Sequence, residues 1–353
     1  MHRHASLILA VVLAGVLLPA PAGSTDPARA VAFRTRTMGT WATVSIVTGD
    51  SAAVADLALE SLLVFHRIDS LMSNWTDRSE VARINREAGR APTRVHPEVA
   101  TVLECALQVF RESDGAQDIS VEPLVRLWGF LGGSPRVPTP DEITRTLPRV
   151  GSDKIRFETA TRAIAFARED TQIDLGGIAK GYGVDQVASV LRRAGVRNAL
   201  VDLSGNMAAL GDAPGHPGWV VGVRDPSGVR PFLLRIRLGD RCVATSGDYE
   251  QFLAADGKRY GHIIDPRTGY SAQGLRSVTV VAASAMLADA WDTALFVMGP
   301  EKARALARAR DDLAVVLVEP GPEGDFVVWI EEQLRPDVEL EPDATRTYAV
   351  RFF

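Results

Sequence analysis

Residues 174–185, DLGGIAKGYGVD, constrain this chain more than any other stretch. A strand-like run, Thr171-Gln172-Ile173, leads into it, and residues 184–194 follow with Val184, Val187, Ala188 and Leu191 at helical spacing. The pattern therefore predicts a glycine-rich turn between a strand and a helix. Gly176 and Gly177 carry no Cβ, so a ligand can approach their backbone closely. Free amides at a helix start favour an anion such as a phosphate, and Lys180 adds a mobile cation at the same mouth. The plain alternative is an ordinary strand–turn–helix corner. The stretch is neither a Gly-Lys-Ser/Thr phosphate loop nor a GxGxxG fingerprint, which excludes the two best-known nucleotide motifs.

The 353 residues leave room for one large domain or two ordinary ones, and 46% hydrophobic with 24% charged residues allows a sizeable core. A net charge of −5 gives no reason to expect nucleic acid as a partner. His2, Arg3 and His4 open a targeting segment, residues 7–18 are an apolar run, and Ala20-Pro21-Ala22 places small residues at a cleavage site. The run is shorter than the roughly 20 residues of a membrane span. The expectation is a signal peptide over residues 1–22, a flexible lead-in over 23–32 and an exported, periplasmic product. A retained anchor is the alternative, and no cysteine follows the run to carry a lipid. One domain is expected over 33–353, with 131–150 as a proline-rich loop that could hinge two lobes. Cys105 and Cys242 read as free buried thiols, with a disulfide as the alternative.

Along the chain, residues 33–48 alternate about Met38-Gly39-Thr40-Trp41, with Ala42, Val44 and Ile46 on one side of a half-buried strand. Met38 reads as core or as the cap of a planar ligand. Residues 52–74 have a long helical pattern, followed by SNWTDRSE, where Ser79 is a candidate cap for a helix from Glu80. Trp75 in that polar turn suits stacking on a flat ring, or folds back on the core. A helix is expected over 97–113, a hairpin over 155–166, and strands at 199–203, 219–223, 232–238, 242–244 and 277–281. Another hairpin turns at Asp256-Gly257, and closing strands follow after residue 311.

The expected helix over 283–298 places Asp289, Asp292 and Thr293 on one face amid apolar neighbours. Buried acids are costly unless compensated, and a hard cation that prefers oxygen, such as Mg²⁺, is the natural partner. Capping of a loop or pairing with arginine is the alternative.

Taken in order, MGTWATV, SNWTDRSEVARIN, GAQD with LWGF, DLGGIAKGYGVD, VATSGDYE, HIIDPRTGY and ADAWDTALFVMG resemble the ApbE family of FAD:protein FMN transferases. The resemblance spans residues 38 to about 299. It implies an α+β, T-fold-related mixed sheet-and-helix architecture with an FAD and metal site in a central cleft. It implies a Mg²⁺-dependent enzyme that moves FMN from FAD onto a threonine or serine of an acceptor protein and releases AMP. Acceptors in the family are commonly extracytoplasmic parts of membrane electron-transfer subunits. On these positions the resemblance puts Mg²⁺ on Asp289, Thr293 and the Gly177 carbonyl, with Asp292 as neighbour or ligand. Asp174 and Lys180 would hold FAD. Met38, Trp75, Ala116, Gln117 and Asp118 would line the flavin and adenine sites, and Ile263 and Ile264 would wall them. His262 becomes the candidate base, although a lone histidine on a strand is ordinarily structural. The chain departs from the family at Gln117, Ile119 and Ser120, at Trp75 where tyrosine is usual, and at Ser204-Gly205-Asn206. Hydrolysis of FAD to FMN and AMP, and FAD binding without turnover, are the rival functions.

Overall fold

The computed structural model describes residues 28–321, 325–342 and 348–353. The expected leader over 1–22 lies outside these. Nine strands form one sheet, in the spatial order Arg29–Thr37, Thr40–Thr48, Ala199–Leu203, Asn206–Leu210, Cys242–Gly247, Ser277–Ala282, Leu313–Pro320, Phe326–Ile330 and Tyr348–Phe352. The last two pair in parallel, and every other neighbouring pair is antiparallel.

Period-two alternation assigns each face of the sheet to a different core. Ala42, Val44, Ile46, Val201, Ala244, Val280 and Val315 point one way, into the main cluster with helices Ala55–Met72, Pro97–Glu112, Ala179–Arg193 and Ala285–Met298. Val243, Val281, Ala314, Val316 and Val318 point the other way, onto a small sheet of Trp219–Arg224, Phe232–Leu238 and Val338–Leu340. Coverage on both faces explains why Ser277–Ala282 is buried along its whole length. A third cluster of Leu124, Trp128, Phe130, Val150 and Ile264 joins the LWGF segment to the 262–270 loop. Trp128 Nε1 donates to the Gly269 carbonyl across that junction (2.9 Å).

The helices start where local chemistry dictates. Ser79 accepts from the Ala82 amide, Ser284 accepts from the Leu287 amide, and Thr139 with Glu142 forms a capping box. The mixed α+β architecture is as expected, and several local readings change. Residues 29–32, expected within the lead-in, are instead the start of a strand whose Arg29 pairs with Thr48. Residues 33–48 are two strands rather than one. Met38 (φ 47°) and Gly39 (φ 74°) both adopt positive φ, which makes a two-residue hairpin turn. The proline-rich loop contains a helix, Pro140–Thr146, which starts on a proline at a position where its missing N–H costs nothing. Thr171-Gln172-Ile173 is not a strand. The Ile173 backbone is held by the side chains of Asn74 and Asn85 instead. Both cysteines are free thiols.

Candidate active site

The 174–185 stretch joins two helices. Gly181 lies where Ala179–Arg193 meets Ala285–Met298, and a Cβ there would collide with the Ala285 carbonyl and approach the Asp289 Cβ to 2.7 Å. Without that side chain the two backbones can touch. The Gly181 amide then donates to Asp289 Oδ2 (2.9 Å). Four residues on, Asp185 caps the second helix by accepting from the amides of Ala285 (2.8 Å) and Met286 (2.9 Å) and from Ser284 Oγ (2.7 Å). Gly183 faces Phe65 and Ile68 of Ala55–Met72. The glycines therefore serve helix packing as well as the turn.

This junction places the acids. Asp289 and Asp292 are buried, 2% and 1% exposed. Lys180 Nζ lies 3.5 Å from Asp289 Oδ1. Asn206, with its amide turned so that both ends are satisfied, donates to Asp289 Oδ1 (3.1 Å) and accepts from Lys180 Nζ (2.5 Å). Asp292 Oδ1 accepts from Ser246 Oγ (2.9 Å) and Thr293 Oγ1 (3.1 Å). Among the described residues neither acid pairs with an arginine or caps a loop. Burial, and then the charge of Asp289, push the Asp292 carboxyl well above its usual range. Burial pulls the Lys180 ammonium down, but the two carboxylates outweigh it and hold the pKa above its ordinary value. A buried carboxylate that accepts from two hydroxyls beside another acid is a set of hard oxygens suited to a divalent cation. Thr293 Oγ1 and the Gly177 backbone complete the group: a Cβ on Gly177 would lie 3.3 Å from Thr293 Oγ1. The Gly177 carbonyl accepts from Gln117 Nε2 (3.3 Å), which brings the Ala116–Asp118 turn to the glycine turn.

The other expected site residues take distinct places. Asp174 accepts from the Gly176 amide (2.7 Å), and burial raises its pKa. Ala116 and Gln117 are buried beside the turn. Asp118 is turned inward: its carboxylate accepts from Ser120 Oγ and N and from Ser152 Oγ and N, tying two loops together. Met38 and Trp75 both lie at the C-terminal end of Ala55–Met72. The Met38 amide donates to Asp69 Oδ2 (3.1 Å), and Trp75 follows the helix by three residues. Trp75 is 70% exposed, so it is not folded back on the core. Met38 packs against the main cluster. Ile263 joins the main cluster and Ile264 the third one, so the two isoleucines flank a boundary between cores.

The His262 Nδ1 lies 3.2 Å from the Gln251 carbonyl, which can only accept, so Nδ1 carries the proton of the neutral ring and Nε2 is left as the base. Burial, and to a lesser degree the Lys180 charge, lower its pKa to about 4 against the opposing pull of that carbonyl.

Sequence reasoning passed over Asn206, Ser246, Asp185 and Gly181. Ser246 could have been found, because the alternation of Cys242 and Ala244 puts it on the same face as the helices. Missed as well was a buried knot behind the turn. Glu122 Oε2 accepts from Asn74 and Asn85, both asparagine amides also donate to the Ile173 carbonyl (3.0 Å each), and Arg126 holds Oε1. Burial pushes the Glu122 carboxyl up to about 7.

The ApbE family profile matches residues 38–317. The FAD:protein FMN transferase of Salmonella typhimurium is 33% identical over 325 residues, 90% of this chain and 91% of that protein. The protein of the same name from Haemophilus influenzae is 34% identical over 330 residues, 90% and 93% of the two chains. Among solved structures, the flavin transferase ApbE from Vibrio cholerae superposes with a TM-score of 0.80 at 32% identity, covering 88% of this chain and all of that one. The ApbE protein of Thermotoga maritima gives 0.79 at 33% identity, covering 88% and 99%. With the seven motifs placed on one shared architecture, the chain belongs to the ApbE family.

Proposed function

We propose that this protein is an FAD:protein FMN transferase that moves FMN from FAD to a threonine or serine hydroxyl of an acceptor protein and releases AMP. The observation that carries the reading is the junction of Lys180, Asp289, Asp292, Thr293 and Gly177 around one point. The names of the aligned relatives support it. Asp289, Asp292, Thr293 and the Gly177 carbonyl would hold Mg²⁺, and the bound ion would supply charge neutralisation on the diphosphate. Lys180 lies beside that group and supplies a fixed positive charge to the same phosphates. Trp75, exposed at the end of its helix, and Met38 line the flavin side. His262 Nε2 takes the proton of the acceptor hydroxyl. The hydroxyl oxygen bonds to the FMN phosphorus, the phosphoanhydride bond breaks, and AMP leaves. The apolar leader over residues 7–18 supports an extracytoplasmic acceptor, of the kind found on membrane electron-transfer subunits.

The test mixes the protein with FAD, MgCl₂ and a threonine-bearing acceptor domain, then reads the acceptor's intact mass and the AMP released. A gain of one FMN that a chelator abolishes is the expected result. Free FMN and AMP with an unmodified acceptor would turn the reading into an FAD pyrophosphatase. Intact FAD would turn it into a binding protein without turnover.

A further inference from the structure

A surface cavity of about 400 Å³ opens beside His262, lined by Phe130, Gly133, Pro135, Glu250, Gln251 and Phe252. Two contacts connect it to the candidate base. The Gln251 carbonyl, on its wall, accepts from the His262 backbone amide (3.0 Å) and fixes the ring through Nδ1 (3.2 Å). The Phe130 ring meets the His262 ring edge-on at 6.5 Å. His262 therefore abuts the cavity wall. None of the residues assigned to FAD or the metal lines this cavity.

A base must come within roughly 2.6–3.2 Å of the hydroxyl it serves. The acceptor hydroxyl has to reach His262 from a side that FAD does not fill. A folded surface cannot enter a cavity of this size, whereas a short segment of chain can. The wall also offers main-chain pairing. Phe252–Ala255 and Lys258–Gly261 form a two-stranded ribbon, and the outer edge of Phe252–Ala255 has no strand partner among the described residues. An extended segment can add to such an edge while alternate side chains enter the adjoining pocket. The half-exposed Phe252, with Arg259 stacked on its ring at 4.2 Å, and Phe130 supply the apolar contact.

We infer that the cavity between the 129–135 loop and Phe252 is the acceptor subsite, which takes a short extended segment carrying the threonine or serine to be modified. The inference rests on the transferase reading and locates its second substrate.

The experiment uses the full chain with FAD, MgCl₂ and a library of nonapeptides that each carry one central threonine. The best-modified sequence, identified by mass, then serves for kinetics. Gly133 is not in the positive-φ region and a Cβ there would meet only Gly129 backbone atoms at 3.4–4.0 Å, so Gly133→Trp adds bulk at the cavity lining without strain at its own position. The expected result is a KM for the peptide raised at least tenfold, with the KM for FAD within twofold of wild type. Phe252→Ala, at an exposed position, is the second variant and should raise the peptide KM at least threefold with the same split. Wild-type peptide kinetics in both variants would overturn the assignment. A parallel rise in the FAD KM would also overturn it, since the cavity would then belong to the FAD site. A wild-type protein that modifies a folded acceptor and no peptide removes the short-segment inference and leaves the transferase reading standing. A wild-type protein that binds FAD and modifies neither removes the transferase reading, and the acceptor subsite falls with it.

Discussion

Asp289 and Asp292 lie three residues apart on one helix and are equally buried, yet they meet different partners. Asp289 has the Gly181 amide, the Lys180 ammonium and the Asn206 amide, whereas among the described residues Asp292 accepts from the hydroxyls of Ser246 and Thr293. Burial and the neighbouring Asp289 charge hold the Asp292 carboxyl above its usual range. Asp289→Ala is expected to slow Mg²⁺-dependent AMP release by about a hundredfold or more, the scale of losing one electrostatic partner of a transition state. Chromatographic measurement of AMP checks this, and undiminished FAD consumption would remove Asp289 from the site. His262 supports a second prediction. Its pKa lies below the ordinary 6.5, at about 4, because burial and the Lys180 charge disfavour the imidazolium. The base form is then complete above pH 5 and is lost as pH falls through about 4. The kcat/KM profile should be flat from pH 5 to 7 as far as this group is concerned. An acidic limb centred near 6.5 would show a solvated histidine instead. The same shift has a stability consequence of fixed sign. Between pH 6.5 and 4 the unfolded chain takes up a proton that the folded chain declines, so stability falls with pH across that window.

At the scale of elements, the helices were the most legible part of the chain, because apolar residues at three- and four-residue steps report a single buried face. Strands covered on both faces were legible as β-branched runs, such as SVTVVA. What the sequence concealed has physical causes. The hairpin turn at Met38-Gly39 places a methionine where asparagine or aspartate is the usual signal. The helix Pro140–Thr146 lies inside a stretch whose prolines suggested a loop. The run before Asp174 reads as strand, but its backbone groups bond to Asn74 and Asn85, nearly a hundred residues away. Asn206 and Ser246 escaped because their roles exist only through partners on distant elements. The buried acids Asp289 and Asp292 were legible, since a helix face is a local property, but the side chains that hold them were not. The cap on the second helix offers an element-scale test. Asp185→Ala leaves the amides of Ala285 and Met286 without their acceptor, and should lower stability by about 1–3 kcal/mol in urea unfolding. Activity at fixed FAD should fall too, because the cap sets the register of the helix carrying Asp289. A variant with unchanged stability would show that solvent serves those amides.

Across the whole molecule, the large sheet separates two cores with different duties. The helical side carries the helix of Asp289, Asp292 and Thr293, and the small sheet on the far side carries none of the candidate-site residues. Ile236, fully buried in the far core, is the test position. Ile236→Ala should cost about 2–4 kcal/mol in chemical denaturation and leave the KM for FAD unchanged at temperatures where the protein stays folded. A shift in that KM would show that the sheet transmits strain between its faces. The strand order has a further consequence in time. Thr40–Thr48 is made early, but its inner neighbour, Ala199–Leu203, follows more than a hundred residues later. Until that partner arrives, the inner edge of an apolar strand stands open. The helix bearing the acids comes later still. Such non-local pairing makes folding slow, and it leaves the chain dependent on protection from aggregation until its middle third is complete.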